Sequence, residues 1–210
     1  NSELKYRFIY LPKVLFMKLS LELTYQSSKA WVVCVMNDFD SFLQDHADCE
    51  RKASAMAMSF IAKCPDRTDI IPKLIETGIE ELEHFQDVYG IMAKRGISLN
   101  HEIPQDIYIK QLIDSCRHGR DERLMDRMLI ASIVECRGAE RFKMIADALE
   151  DDELKTFYKK LWTSEAKHGN LFVDLALKYW NEDIVYKRLH ELNEIEGNIC
   201  KELPIRAALH

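Results

Sequence analysis

The chain has 210 residues, 47% of them hydrophobic, with only seven glycines and five prolines and a formal net charge of −6. That length suits one domain with a substantial core and is too short for two. The composition disfavours disorder and turn-rich β folds, and the acidic balance excludes a general attraction to nucleic acid, so any RNA contact needs a local basic patch.

In chain order, residues 1–28 give a weak signal. Tyr6, Phe8, Ile9, Tyr10 and Leu11 suit a short extended piece stopped by Pro12, and Ser27 and Ser28 suit a helix entrance. Lys29 to Met36 reads as a short helix, after which Asn37 or Asp38 caps the first long one. There Phe39, Leu43, Ala47, Glu50, Ala53, Ala57 and Ile61 recur at steps of three or four, with Cys64 and Pro65 as the stop. A second long helix spans about Asp69 to Arg95, with Pro72 in its first turn, an inner stripe of Leu74, Gly78, Glu81, Phe85, Val88 and Met92, and Gly96 as a left-handed stop.

Residues 96–119 contain Pro104 and a short helix from Asp106 to Cys116; they form a crossover between two halves. Helix three, about Asp121 to Leu149, aligns Met128, Ala131, Glu135, Ala139, Phe142 and Ala146. Helix four, about Asp152 to Trp180, aligns Tyr158, Leu161, Glu165, His168, Phe172 and Leu175, with Asp151 and Asp152 at its positive end. A cover helix, about Glu182 to Glu202, packs through Leu189, Leu192, Ile195 and Ile199 before Pro204. The fold expected is all-α: one domain over residues 1–210, with a four-helix bundle core over about 37–180 and a cover helix over about 182–202.

Within this frame the chain repeats a pattern. Glu81 and His84 form a Glu-x-x-His pair, and Glu165 and His168 form a second one 84 residues later. Each pair is preceded by a glutamate in an apolar helical context, Glu50 at 31 residues and Glu135 at 30. Residues three apart share a helix face. Glu, Glu-x-x-His, Glu, Glu-x-x-His is the pattern of a bundle holding two metal ions between facing helices. Four buried carboxylates are costly unless paired or bound to cations, and oxygen and imidazole donors suit iron or manganese.

One such pair taken alone is more often a solvated helix face, and one glutamate on an apolar stripe is more often at the surface; the matched offsets carry the reading. Glu80 and Glu83 flank Glu81 but do not stand three before His84. Glu140 competes with Glu135 at a poorer offset. His46 and His118 read as surface residues or supports, and Asp45 and Asp48 could orient a ligating histidine. Ala53, Gly78, Ala131, Gly138, Ala139 and Gly169 are small where a packed core would favour larger residues, which suits a cavity.

No apolar run reaches the roughly 18 residues of a membrane span, and charges through Leu4 to Leu23 break up any signal peptide. Six cysteines, Cys34, Cys49, Cys64, Cys116, Cys136 and Cys200, form no C-x-x-C motif and no cluster suited to zinc or iron–sulfur. Reduced thiols in a soluble, cytoplasmic protein are expected.

The chain resembles the ferritin-like di-iron carboxylate superfamily. Residues 45–53 (DHADCERKA), Glu80 to Phe85, Val134 to Arg137 with Glu140 to Phe142, and Ser164 to His168 look more specifically like the bacterial tRNA hydroxylases that act on 2-methylthio-N6-isopentenyladenosine. The resemblance covers roughly residues 30–200. It implies a monooxygenase that hydroxylates the isopentenyl side chain of adenosine 37 in the anticodon loop of tRNA. Two iron ions would be held by Glu50, Glu81, His84, Glu135, Glu165 and His168, with dioxygen as co-substrate and an external electron donor the sequence does not identify.

The stretch from Lys94 to Arg127 carries seven basic and six acidic residues, against an acidic remainder. Lys94, Arg95, Arg117, Arg120, Arg123, Arg127, Arg137, Arg141 and Lys143 are the candidate RNA contacts, although solvated faces and internal ion pairs explain such residues equally well. The alternative function is a ferritin-like iron-oxidising or iron-storage protein. The absence of paired C-x-x-C motifs disfavours a rubrerythrin-like peroxidase. Oligomeric state is not legible.

Overall fold

The computed structural model describes residues 21–103 and 105–210, and among them there are seven helices and no strand. The short helix α1 (Lys29–Asn37) leads into α2 (Phe39–Lys63), and α3 (Ile71–Lys94) follows after a tight connection. The crossover carries α4 (Ile107–Asp114); then come α5 (Arg120–Ala148), α6 (Asp152–Leu177) and the cover helix α7 (Glu182–Glu202).

The helix ends follow from local chemistry. Asp38, Asp106 and Asp151 each accept a backbone N–H of the first turn, from Ser41, Ile109 and Leu154. Ser28 and Asn181 do the same for α1 and α7. Helix α3 has no such cap but holds Pro72 in its first turn, where a missing N–H costs nothing. It stops at Gly96, whose φ of 71° favours glycine, and Ile97 N–H closes back on Met92 O at 2.9 Å.

Three boundaries differ from the sequence expectation by more than one residue. Helix α3 starts at Ile71 rather than Asp69, because Arg67 and Ile70 close successive turns and Asp69 instead faces Lys178 and Tyr179. Helix α6 stops at Leu177 rather than Trp180, since the Tyr179 and Trp180 N–H groups both turn back to Ala176 O and the Trp180 ring packs against Arg67. Helix α4 starts after Asp106, which serves as its cap, and ends at Asp114 rather than Cys116, where the Ser115 and Cys116 N–H groups close tighter turns on Leu112 O and Ile113 O. The extended piece at residues 6–11 and Pro104 lie outside the described residues.

Helix α2 packs along α3 and α5 along α6, while α7 lies on α5 with further contacts to α4 and α6. Within each pair glycine allows close approach. A Cβ on Gly78 would meet Met58 Cε at 2.6 Å, and one on Gly169 would meet Cys136 Sγ at 2.6 Å. Ser54 and Ser132 hydroxyls donate to the Gly78 and Gly169 carbonyls at 2.7 and 2.6 Å. The two pairs instead face each other through large side chains such as Phe60, Leu74, Met128 and Phe172. This wider gap between pairs is where polar side chains can converge.

Two irregular segments complete the structure. Residues 21–28 run along α7 and α5, tied by Asn193 Nδ2–H to Glu22 O at 2.8 Å and by Ser27 N–H to Glu140 at 2.7 Å. Residues 203–210 return to α1 and α2, where Trp31 Nε1–H donates to Ala208 O and Leu209 N–H to Asp45. All six cysteines are free thiols. No described helix is long and apolar enough to cross a membrane.

Candidate metal centre

The gap between the helix pairs holds all six expected ligands. Glu50 comes from α2, Glu81 and His84 from α3, Glu135 from α5, and Glu165 and His168 from α6; the four carboxylates and His168 are buried. Donor atoms of Glu50, Glu81, His84 and Glu165 lie within 4.8 Å of one another, and those of Glu81, Glu135, Glu165 and His168 do the same. The two groups share Glu81 and Glu165, so the geometry offers two adjoining cation positions with these carboxylates between them. Glu50 with His84, and Glu135 with His168, stand at the outer ends.

Several donor atoms crowd one another without a well-formed hydrogen bond. His168 Nδ1 lies 2.7 Å from Glu81 Oε1, yet neither atom has a hydrogen-bond partner, and neither does buried Glu165 Oε1. An unpartnered buried polar atom costs about 1–3 kcal/mol, and these point toward a common centre. His84 Nδ1 is 3.2 Å from Glu81 and 3.3 Å from Glu165. Hard oxygen donors with imidazole fit iron or manganese, so the residues present fit the group.

The electrostatics reflect the same crowding. Burial, with Glu165 adding its charge, lifts the Glu81 carboxyl to about 7. Burial and the same neighbour push Glu135 well above the usual carboxylate range. Glu165 is held well below that range despite its burial, because Glu135, His168 and His84 hydrogen-bond to it. Burial opposes charge on the imidazoles, but the surrounding carboxylates outweigh it, raising His84 and taking His168 to about 11.

Supporting residues orient the ligands from behind. Glu80 Oε2 lies 2.6 Å from His168 Nε2; donation of that N–H to Glu80 leaves the Nδ1 lone pair directed inward. His46, fully buried, lies 2.6 Å from Glu50 through Nε2 and 3.2 Å from the Tyr158 hydroxyl through Nδ1. His46 thus supports Glu50, as its i, i+4 spacing allows. The roles of Glu80 and Tyr158 carried no sequence signal, since each depends on packing between helices distant in the chain. Glu140 accepts from Ser27 and Arg137 instead of facing the centre; Glu83 and His118 are exposed. Asp45 holds Leu209 N–H, and Asp48 lies 4.0 Å from Arg51.

A cavity of about 210 Å³ adjoins the cluster. Glu50, Glu135 and Glu165 form one part of its wall, and Met56, Ile109, Ile113, Ile130, Val134 and Phe142 supply an apolar lining. Of the small residues expected to leave room, Ala53, Ala131 and Gly138 line it. Gly78 and Gly169 instead permit close helix packing, and Ala139 is a core residue.

The candidate RNA contacts divide sharply. Arg137 is fully buried and held by Glu196 and Glu140, and Arg141 donates to Ser27 Oγ and Leu209 O inside the fold. The enclosed Arg137 guanidinium corrects the expectation that it meets RNA, whereas that of half-buried Arg141 is engaged by acceptors of its own chain; arginines in a basic run look alike in sequence whether their partners lie in solvent or on another helix. Arg117 pairs with buried Asp126, and Lys94, Arg95 and Lys143 with Glu153, Asp40 and Asp147. Arg120, Arg123 and Arg127 make no ion pair among the described residues, and Arg127 lines the cavity.

A family model described as tRNA-(MS[2]IO[6]A)-hydroxylase (MiaE) matches residues 15–210. A tRNA 2-(methylsulfanyl)-N(6)-isopentenyladenosine(37) hydroxylase of Pseudomonas putida is 33% identical over 153 residues, covering 73% of this chain and 74% of that protein. The protein of the same name from Salmonella typhimurium is 32% identical over 130 residues, 62% of this chain and 47% of its own length. Among solved structures, a Synechococcus protein with aldehyde deformylating oxygenase activity superposes with a TM-score of 0.85 at 29% identity, covering 90% of this chain and 94% of that one.

Proposed function

This chain belongs to the tRNA-(MS[2]IO[6]A)-hydroxylase (MiaE) family, and we propose that its six clustered ligands hold two iron ions that hydroxylate the isopentenyl group of 2-(methylsulfanyl)-N6-isopentenyladenosine 37 in tRNA. Tying the centre to that substrate is one observation: an apolar cavity that ends on Glu50, Glu135 and Glu165. An iron-storage protein has no use for such a cavity, whereas an isopentenyl chain needs one.

Glu50 and His84 would help hold one ion and Glu135 and His168 the other, with Glu81 and Glu165 within reach of both. Bound iron supplies the activation of dioxygen and the insertion of one oxygen atom into a C–H bond, with two electrons from an external donor. The chain's own residues do the rest. Met56, Ile109, Ile113, Ile130 and Val134 bind the prenyl group and keep water away. His46 and Glu80 hold Glu50 and His168 in orientation.

The base must leave its stack to enter the cavity, which is easier in an anticodon loop than in a duplex. Phosphates beside it would meet Lys63, Arg123 and Arg127. Burial, followed by the nearby charges of Arg127 and Arg123, lowers the Lys63 pKa, and burial with Arg123 lowers that of Arg127. The three make no ion pair among the described residues, so this positive patch, which reaches the cavity through Arg127, is not neutralised from within. An anionic backbone complements it.

The reading is tested by nucleoside mass spectrometry of tRNA incubated with the iron-loaded protein, dioxygen and a chemical reductant. Conversion of the isopentenyl nucleoside to its hydroxylated form is expected. Iron-loaded protein that leaves the nucleoside unchanged would refute it.

A further inference from the structure

Among the described residues, one other group of side chains outside the carboxylate centre is arranged as metal donors, and it combines three chemical types. Cys49 of α2, Asp106 at the N-terminus of α4 and His210 at the end of the segment after α7 bring a sulfur, an oxygen and a nitrogen within 4.8 Å of one another. We propose that these three residues form a further metal site, for a borderline divalent cation of the zinc class, that pins residues 203–210 and α4 onto α2 at the cavity wall.

The three donors are close enough for one small cation to draw together, and the imidazole and the Asp106 carboxylate do not hydrogen-bond each other. His210 Nδ1 lies 3.6 Å from Cys49 Sγ and 3.7 Å from Asp106 Oδ2. Zinc bound at about 2.3 Å to sulfur and about 2.0–2.2 Å to nitrogen and oxygen in a tetrahedron sets such donors about 3.4–3.6 Å apart. The nitrogen–sulfur edge of 3.6 Å matches that polyhedron, the nitrogen–oxygen edge of 3.7 Å exceeds it by about 0.1 Å and is too long for a nitrogen–oxygen hydrogen bond, and the sulfur–oxygen edge is within 4.8 Å.

Each donor is also held from outside the group. Asp106 Oδ1 takes the Ile109 N–H at 3.0 Å, leaving Oδ2 for the cation. The His210 ring stacks on Tyr108 with centroids 4.9 Å apart and planes at 10°. Its side chain is 7% exposed, and its buried Nε2 has no hydrogen-bond partner. Asp45 accepts Leu209 N–H at 2.7 Å and lies 3.7 Å from Cys49 Sγ, which fixes the last residues of the segment over α2.

Three segments far apart in the chain therefore meet at one point, and Cys49, Asp106 and His210 all line the cavity that adjoins the carboxylate centre. Thiolate, imidazole and carboxylate form a zinc-type donor set with a fourth position open. The sequence offered no hint of it, because the cysteine has no second cysteine nearby and the other donors stand 57 and 161 residues away.

The probe is cobalt(II), added to the full chain with its carboxylate centre already loaded with iron. A thiolate-to-cobalt charge-transfer band in the near ultraviolet should saturate at one equivalent, and the carboxylate centre cannot produce it because it has no sulfur donor. Cys49→Ser should abolish the band, His210→Gln should weaken cobalt binding at least tenfold, and Glu81→Ala should leave the band intact. Helicity by circular dichroism separates loss of the site from loss of the fold, and Asp106→Asn provides an independent third variant. No band in the wild type, or one that survives Cys49→Ser, would overturn the proposal. The readout needs no turnover, so it stands or falls separately from the tRNA reaction.

Discussion

Replacing Arg137 by Met should unfold the protein more readily while removing no RNA contact. The guanidinium donates to Glu196 at 2.8 and 2.9 Å, to Glu140 at 2.5 Å and to Tyr25 O at 2.8 Å, all inside the fold. The variant leaves Glu196 buried with no cation. Removing one partner of a buried pair costs about 3–5 kcal/mol, which for a chain of this size lowers Tm by about 6–20 °C. Arg137→Met/Glu196→Met should recover about half of the loss, because the unpaired charge goes with its partner. The pH dependence has a definite sign. Glu196 is buried, but its hydrogen bonds from Arg137 hold its folded pKa below the ordinary value. The stability from this group is therefore present above the ordinary carboxylate pKa and is lost as pH falls through the depressed one. Thermal unfolding of wild type and variant should converge in acid. An Arg137→Met variant within about 1 kcal/mol of wild type at neutral pH would refute the reasoning.

Three further outcomes follow from the same geometry. His46→Ala removes the group 2.6 Å from Glu50 and should weaken iron binding by about 10–100-fold, read by competition with a chelator. Because burial lifts Glu81 to about 7 and an incoming cation must displace its proton, the rise in Tm on iron loading should be small below about pH 7 and grow above it; a constant rise across that range would contradict this. Arg123→Ala and Arg127→Ala should each weaken binding of an anticodon stem-loop and flatten its salt dependence by about one unit of slope, with iron content unchanged.

The clustering of the six residues was legible because helical periodicity is local. Two matched Glu-x-x-His pairs with glutamates 31 and 30 residues upstream fix faces and facing partners without any knowledge of packing. His46 was within reach for the same reason, standing four residues before Glu50. Glu80 was not, because its partner His168 lies 88 residues away on a different helix. Arg137 misled for the complementary reason: its partner Glu196 belongs to the cover helix, so the buried pair looked like one more arginine in a basic run. Gly78 and Gly169 were rightly marked as small, but smallness has two uses. Only the distance to a neighbouring helix distinguishes close packing from a cavity wall.

The central proposal, two ions that both depend on Glu81 and Glu165, is tested most directly by iron stoichiometry across the six residues. Wild type should carry two irons per chain after anaerobic loading and desalting. Glu81→Ala and Glu165→Ala, which remove carboxylates shared by both groups of donors, should lose both ions, while Glu50→Ala should keep the one held by Glu135 and His168. Two irons retained by Glu81→Ala or by Glu165→Ala, in protein of unchanged helicity, would contradict the account.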